Sequence, residues 1–208
     1  MERSAKTFSL FYNLLAAARR MVPQWDLGSL LGAPAWEARP GRKNQPRGVF
    51  CRRHVFVGKK GGDQVGKTKR GKGTKTMVLT DGNGLPLATL TASASPHEVT
   101  LIEPLLDNRI LDRRIRRLIY DQAADSDPLR TRLAARGIEL VCPHRRNRTK
   151  APTQDGRSLR RYRRRYKIER SISWLQNFRR LVTRYEHRAY RFLGFVQLAC
   201  LMITLRRF

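Results

Sequence analysis

The chain has 208 residues, with 44 Lys or Arg against 16 Asp or Glu, a net charge of +28 and a pI of about 11.5. Its length suits one domain with a short appendage, and 40% hydrophobic residues are enough to bury a core, which excludes a disordered polycation. A charge this large calls for a polyanionic partner, nucleic acid first and an anionic membrane second.

Residues 1–48 are rich in Gly and Pro and lack sustained periodicity. They read as poorly ordered, with one short helix over Phe8–Arg20. The apolar stretch near Met1 is short, carries Asn13 and lacks a small-residue cleavage site, so it does not read as a signal peptide. "GVFCRRHVFV" (Gly48–Val57) reads as a strand. A glycine-lysine loop follows, with seven basic residues between Lys59 and Lys75 against one acid, Asp63. Within it "GGDQVGKT" fits GxxxxGKT through Gly61, Gly66, Lys67 and Thr68. A phosphate-binding loop also requires a helix after the Thr, and the run that follows is extended, so nucleotide binding is set aside.

"TKTMVLTDGNGLPLATLTAS" (Thr74–Ser93) is two β-rich runs around Asp81-Gly82-Asn83-Gly84, a hairpin. Ser95, Pro96 and Glu98 form a capping-box pattern that predicts a helix start. A strand over Arg116–Tyr120, a helix over Asp127–Arg136 stopped by Gly137, and a strand over Ile138–Cys142 come next. "RRNRTKAPTQDGR" reads as a mobile basic loop, and helices over Ser158–Arg180 and His187–Arg206 close the chain. "FLGFVQLACLMITL" (Phe192–Leu205) is too short to span a bilayer; Phe192, Phe195, Leu198, Met202 and Leu205 recur at helical spacing and predict a buried stripe. Cys51, Cys142 and Cys200 are odd in number and far apart, and Cys142 with His144 has no partners at zinc spacing. They read as reduced thiols in a cytosolic protein.

This order of elements predicts an α/β fold, a mixed sheet flanked by helices. Ligands in such sheets sit at strand ends, where Asp121 projects after "RRLIY". The second basic run is denser: seventeen basic residues between Arg145 and Arg191 against Asp155, Glu169 and Glu186. In "LRRYRRRYKIERSISWLQNFRRL" (Leu159–Leu181) Glu169 is the single acid. One reading is a Glu that softens local repulsion. The other is a metal carboxylate, since Tyr162, Arg165, Glu169 and Gln176 share a helix face. Phosphodiester chemistry without a covalent intermediate needs two Mg²⁺ ions held by carboxylates, and a chain this basic has few to spare.

Three stretches, from "GKKGGDQVGKTKRGKGTKTMVLTDGNGLPLATLTASASPHEVTLIEPLL" through "LIYDQAADSDPLRTRLAARGIEL" to "PHRRNR…RRYRRRYKIERSISWLQNFRRLVTRYEHRAYRFLGFVQLACLMITLRRF", closely resemble bacterial insertion-sequence transposases of family five. The resemblance runs from about Gly58 to the C-terminus. It implies a ribonuclease H-like catalytic domain over residues 49–208 whose Asp-Asp-Glu triad binds two Mg²⁺ ions, cuts transposon ends and joins them to target DNA. Asp121 then corresponds to the second Asp and Glu169 to the Glu, as catalytic and metal-binding residues. Tyr162 and Arg165 match the family's Tyr-x2-Arg-x3-Glu-x6-Lys signature and are implied to grip the DNA end.

The signature's Lys falls on Gln176, so that cationic contact is either missing or moved to a neighbour such as Arg179 or Arg180; Lys60, Lys67, Arg70 and Lys72 are the expected backbone contacts of the first basic run. Gln122 and Ala124 stand where the family usually has Lys and Tyr. The largest departure is the first Asp: counting back seven residues from Lys59 reaches Arg52, and no acid occurs from Arg39 to Gly62. Asp81 is a substitute by type but sits where a turn needs it.

The expectation is therefore a DNA-binding transposase with an incomplete metal site, its reading frame truncated or shifted before Gly58. It would be cytoplasmic and nucleoid-associated in a bacterium, off the membrane, and a homodimer on DNA. The alternative is a non-catalytic DNA-binding remnant or a retained nucleic-acid-binding protein. An RNA-binding protein of ribosomal type would leave Asp121, Glu169 and the helix signature unexplained.

Overall fold

The computed structural model describes residues 48–69, 71–108, 115–154 and 156–206. The expected helix over Phe8–Arg20 lies outside them, as does Arg70. Seven strands form one mixed sheet: β1 Val49–Gly58, β2 Gly66–Thr68, β3 Gly71–Thr80, β4 Pro86–Ser93, β5 Arg117–Ile119, β6 Glu139–Val141 and β7 Thr183–Arg184. The order β2-β3-β1-β5-β6 puts β1 at the centre, antiparallel to β3 and parallel to β5. β4 also pairs with β3, and β7 with the end of β1. The β3–β4 hairpin turns where expected, and Asp81 is a turn residue: its Oδ1 accepts from the backbone N–H groups of Asn83 (2.8 Å) and Leu85 (2.9 Å).

Helices cover both faces. α1 (Glu98–Asp107) and α2 (Asp127–Ala135) bury Ile102, Leu105, Leu106, Leu129 and Leu133 against Val49, Cys51, Met77 and Leu79. On the other face α3 (Tyr166–Gln176) and α4 (Ala189–Leu205) bury Ile168, Ile172, Phe192 and Val196 against Phe50, Phe56, Val78 and Ile119. Alternate residues of β1 thus serve opposite layers, as a two-sided strand requires.

Four local expectations are corrected. No capping box forms at α1: His97 is extended, and buried Glu98 accepts from the Tyr120 hydroxyl and pairs with Arg53 instead. The glycine-lysine loop contains β2, so Gly66, Lys67 and Thr68 are strand residues and no helix follows them. Gly62 has φ +147°, and a Cβ there would lie 2.3 Å from the His187 carbonyl oxygen; the glycine serves this close approach of backbones. The expected helix over Ser158–Arg180 is divided into Gly156–Leu159, a 3-10 turn at Tyr162–Arg165, α3, and Arg179–Val182. Arginines three and four apart before Tyr166 repel one another and weaken a continuous helix.

The fourth correction is the α4 stripe. Phe192 is buried, but Phe195, Leu198, Met202 and Leu205 are exposed; Leu193, Val196, Ala199, Cys200 and Ile203 face the sheet. The segment is apolar nearly all round, so two stripes offset by one residue carry the same periodicity. Ile203→Ala should cost roughly 2–5 kcal/mol in urea unfolding, and Leu198→Gln should stay within about 0.5 kcal/mol. The opposite ranking would contradict this orientation. No helix among the described residues is long and apolar enough to cross a membrane.

Candidate active site

Arg52, on the α3 side of β1, reaches Glu169 on α3, and the two side chains form an ion pair. The β1–β5 register pairs Val49 with Leu118 and Phe50 with Ile119. Continued two residues, it sets Arg52 level with Asp121, just beyond β5. The position counted in the sequence as the first Asp thus lies on the central strand within reach of Glu169. A guanidinium occupies it.

Asp121 caps the 3-10 turn Gln122–Ala124 and accepts from Ala123 N–H at 2.8 Å. It lines a cleft of about 650 Å³ that also includes Tyr162 and Arg165. Arg165 donates to the Tyr162 hydroxyl, lies 4.9 Å over its ring, and has Nε 3.4 Å from Glu169. Tyr162, Arg165 and Glu169 therefore share one face, as their spacing predicts. Gln176, the last member of that pattern, lies 3.4 Å from His54 on β1. Burial, and then Arg52, lower the His54 pKa.

The two-Mg²⁺ arrangement implied by the resemblance does not fit these residues. Glu169 is shared between two arginines, and among the described residues no three of His, Cys, Asp or Glu gather to hold a metal ion. Lys60, Lys67, Lys72 and Arg179 are exposed. Arg180 is exposed too, but it pairs with Glu186 at 2.7 Å and covers Phe195.

The sequence reading missed Asp125. Its buried carboxylate accepts from Arg145 N–H and His144 Nδ1 (both 2.9 Å) and from Arg130 Nη2 (3.1 Å). Arg148 forks onto Asp127 at 2.9 and 3.1 Å. The loop after Cys142, expected to be mobile, is thus tied to the body of the fold. A signal was present in "DSD" followed by "HRRNR", acids and bases within one short region, but their pairing spans some twenty residues. Burial alone would raise the Asp125 pKa; the Arg145 backbone donor and the His144 and Arg130 side chains outweigh it and hold the carboxyl at about 2.

A folded pKa below the ordinary value stabilises the native state fully above about pH 4 and loses that contribution as pH falls through about 2, on the order of 2 kcal/mol. The stability difference between wild type and Asp125→Asn should be constant from about pH 8 to 5 and shrink below about pH 4. A difference independent of pH down to about 2 would contradict this. The three cysteines are free and buried, and burial pushes Cys142 to about 11 and Cys200 to about 12.

The family model described as "Transposase DDE domain" matches residues 43–204, beginning fifteen residues upstream of Gly58. The chain belongs to this transposase family. It is 36% identical over 214 residues to a Burkholderia cepacia protein named as a transposase for insertion sequence element IS402, covering 94% of this chain and 95% of that one. It is 32% identical over 135 residues to a Brucella ovis protein named as a transposase for insertion sequence element IS6501, covering 64% of this chain and 98% of that one.

Among solved structures, the piggyBac transposase synaptic complex with hairpin DNA, determined by cryo-EM, matches with a TM-score of 0.52 at 12% identity. The match takes in 74% of this chain and 45% of the piggyBac chain. That likeness establishes a ribonuclease H-like transposase fold here.

Proposed function

We propose that this transposase-family chain binds DNA but neither nicks nor joins it by two-metal chemistry. The observation that carries the reading is the Arg52–Glu169 ion pair. The family reaction needs negative charge at three places to hold two divalent ions, and here one of the three is a cation that also engages the third. Asp121 and Glu169 together offer two negative charges, and Arg52 cancels one. DNA remains a suitable partner, because the charge of +28 and the exposed Lys60, Lys67, Lys72 and Arg179 are untouched by this loss.

The test is a cleavage and strand-transfer assay on a terminal inverted-repeat substrate with Mg²⁺ or Mn²⁺. The expected result is binding in a gel shift with no metal-dependent nicking. Metal-dependent cleavage abolished by Asp121→Asn or Glu169→Gln would overturn the proposal, since another residue would then complete the site.

A further inference from the structure

We propose that the apolar run of residues 8–18 docks as a helix along the exposed stripe of α4, Phe195, Leu198, Met202 and Leu205, so that the chain covers its own last helix. The inference is independent of the DNA-binding reading.

The four side chains of the stripe are 37–53% exposed, although Val196 and Ile203 of the same helix are buried. They recur at intervals of three, four and three residues and make a continuous band about 15 Å long. In a chain of net charge +28, no charged residue lies between Arg191 and Arg206. Gly194 stands beside the band, exposed, and a Cβ added there would meet nothing within 4 Å, so a second backbone can come close. An apolar band with arginines at both ends marks a docking surface. Hydrocarbon and thioether side chains have no donor for a phosphate, so DNA is not its occupant.

The residues before β1 supply one. In residues 8–18, Phe8, Phe11, Leu15 and Ala18 recur at the same three, four and three, and no charge occurs between Lys6 and Arg19. Two such seams interlock by knobs-into-holes packing at a shallow crossing angle. Eleven residues are too few for an isolated helix in water, so this one needs a partner face. The twenty-nine residues between Ala18 and Gly48 span about 30 Å as a flexible chain, against a radius of gyration of about 15 Å for a domain of this size. That linker ends at β1, whose Phe50 shares a core layer with Val196 and Ile203. Tethering raises the effective concentration of the segment at the stripe, whereas a second copy brings another charge of +28 to a face with arginines at both ends.

The experiment is hydrogen–deuterium exchange of the full chain in native buffer, read by mass spectrometry. Amides of residues 8–18 should exchange about tenfold more slowly in wild type than in Leu198→Asp or Phe11→Asp, each of which puts a charge into the seam. Asn13→Asp, on the opposite side of the segment from Phe11 and Leu15, should keep the protection. Exchange in α3 should be unchanged in Phe11→Asp, which lies outside the sheet and its helices, so that variant separates release of the segment from unfolding. Urea releases so small an interface before the domain unfolds, and the tolerance expected of Leu198→Gln in urea is unaffected. Unprotected amides over residues 8–18 in wild type would overturn the proposal, as would protection that survives Leu198→Asp. Protection that grows with protein concentration, together with a dimeric mass by light scattering, would assign the stripe to a second copy and overturn it too.

Discussion

DNA affinity should fall by about 10³–10⁵ between roughly 50 and 200 mM salt, the loss expected when about six to ten phosphates are neutralised and their counterions released. The first basic run lies on β2 and β3 and the loop before them; the second surrounds α3 and the strap before it. Not every arginine contributes. Arg130, Arg148 and Arg184 are consumed by internal bonds: Arg184 is fully buried and donates to Thr74 and to the Asp63, Glu186 and His187 carbonyls. The formal charge therefore overstates what a DNA backbone meets. About six to ten contacts is a fair share of what remains. A binding constant that stays flat across this salt range would remove the polyanion reading, whatever the fold.

Arg52→Asp should make the protein's stability depend on divalent metal. In this variant the introduced carboxylate would face Glu169 and stand level with Asp121. Two like charges about 4 Å apart repel by roughly 4 kcal/mol at an effective dielectric of about 20 and about 1 kcal/mol in water. The Arg52 and Glu169 side chains are each 37% exposed, so the cost lies between these limits. In EDTA the melting temperature should drop below wild type. Millimolar Mn²⁺ or Mg²⁺ should restore it, by up to about 2.7 kcal/mol at roughly a hundredfold excess over the dissociation constant. Wild type should show no such shift. Equal metal stabilisation of wild type and variant would show that Arg52 does not exclude the ion. The readout is thermal unfolding, so it does not depend on recovery of cleavage.

Much of the architecture could be read from local pattern. β1, the β3–β4 hairpin, α2 and β6 follow from alternation, turn residues and a Gly stop, all properties of neighbouring residues. The Tyr162–Arg165–Glu169 face follows from helical spacing, although the first half of it is a 3-10 turn. Arg52 as the residue at the first-Asp position came from counting along a matched motif, and the structure places that residue on the central strand.

Other features depended on partners far away in the chain. Glu98 has the spacing of a helix cap, yet a buried carboxylate is worth more to the Tyr120 hydroxyl and Arg53 than to a solvent-exposed backbone N–H. β2 and β7 are two or three residues long and exist only because β3 and β1 offer unpaired edges. The orientation of α4 could not be chosen by periodicity, because a helix apolar on most sides has several equivalent stripes; the packing of Val196 and Ile203 against the sheet selected one and left Leu198 in water.

By itself, the sequence determined the large positive charge, the transposase resemblance and the absence of any acid from Arg39 to Gly62, because charge and motif are counted along the chain. Only the tertiary structure decided that Arg52 would engage Glu169 and that Asp125 would brace the loop after Cys142. Those pairings join residues 117 and about twenty positions apart, and no local rule constrains charges until the sheet has brought them together.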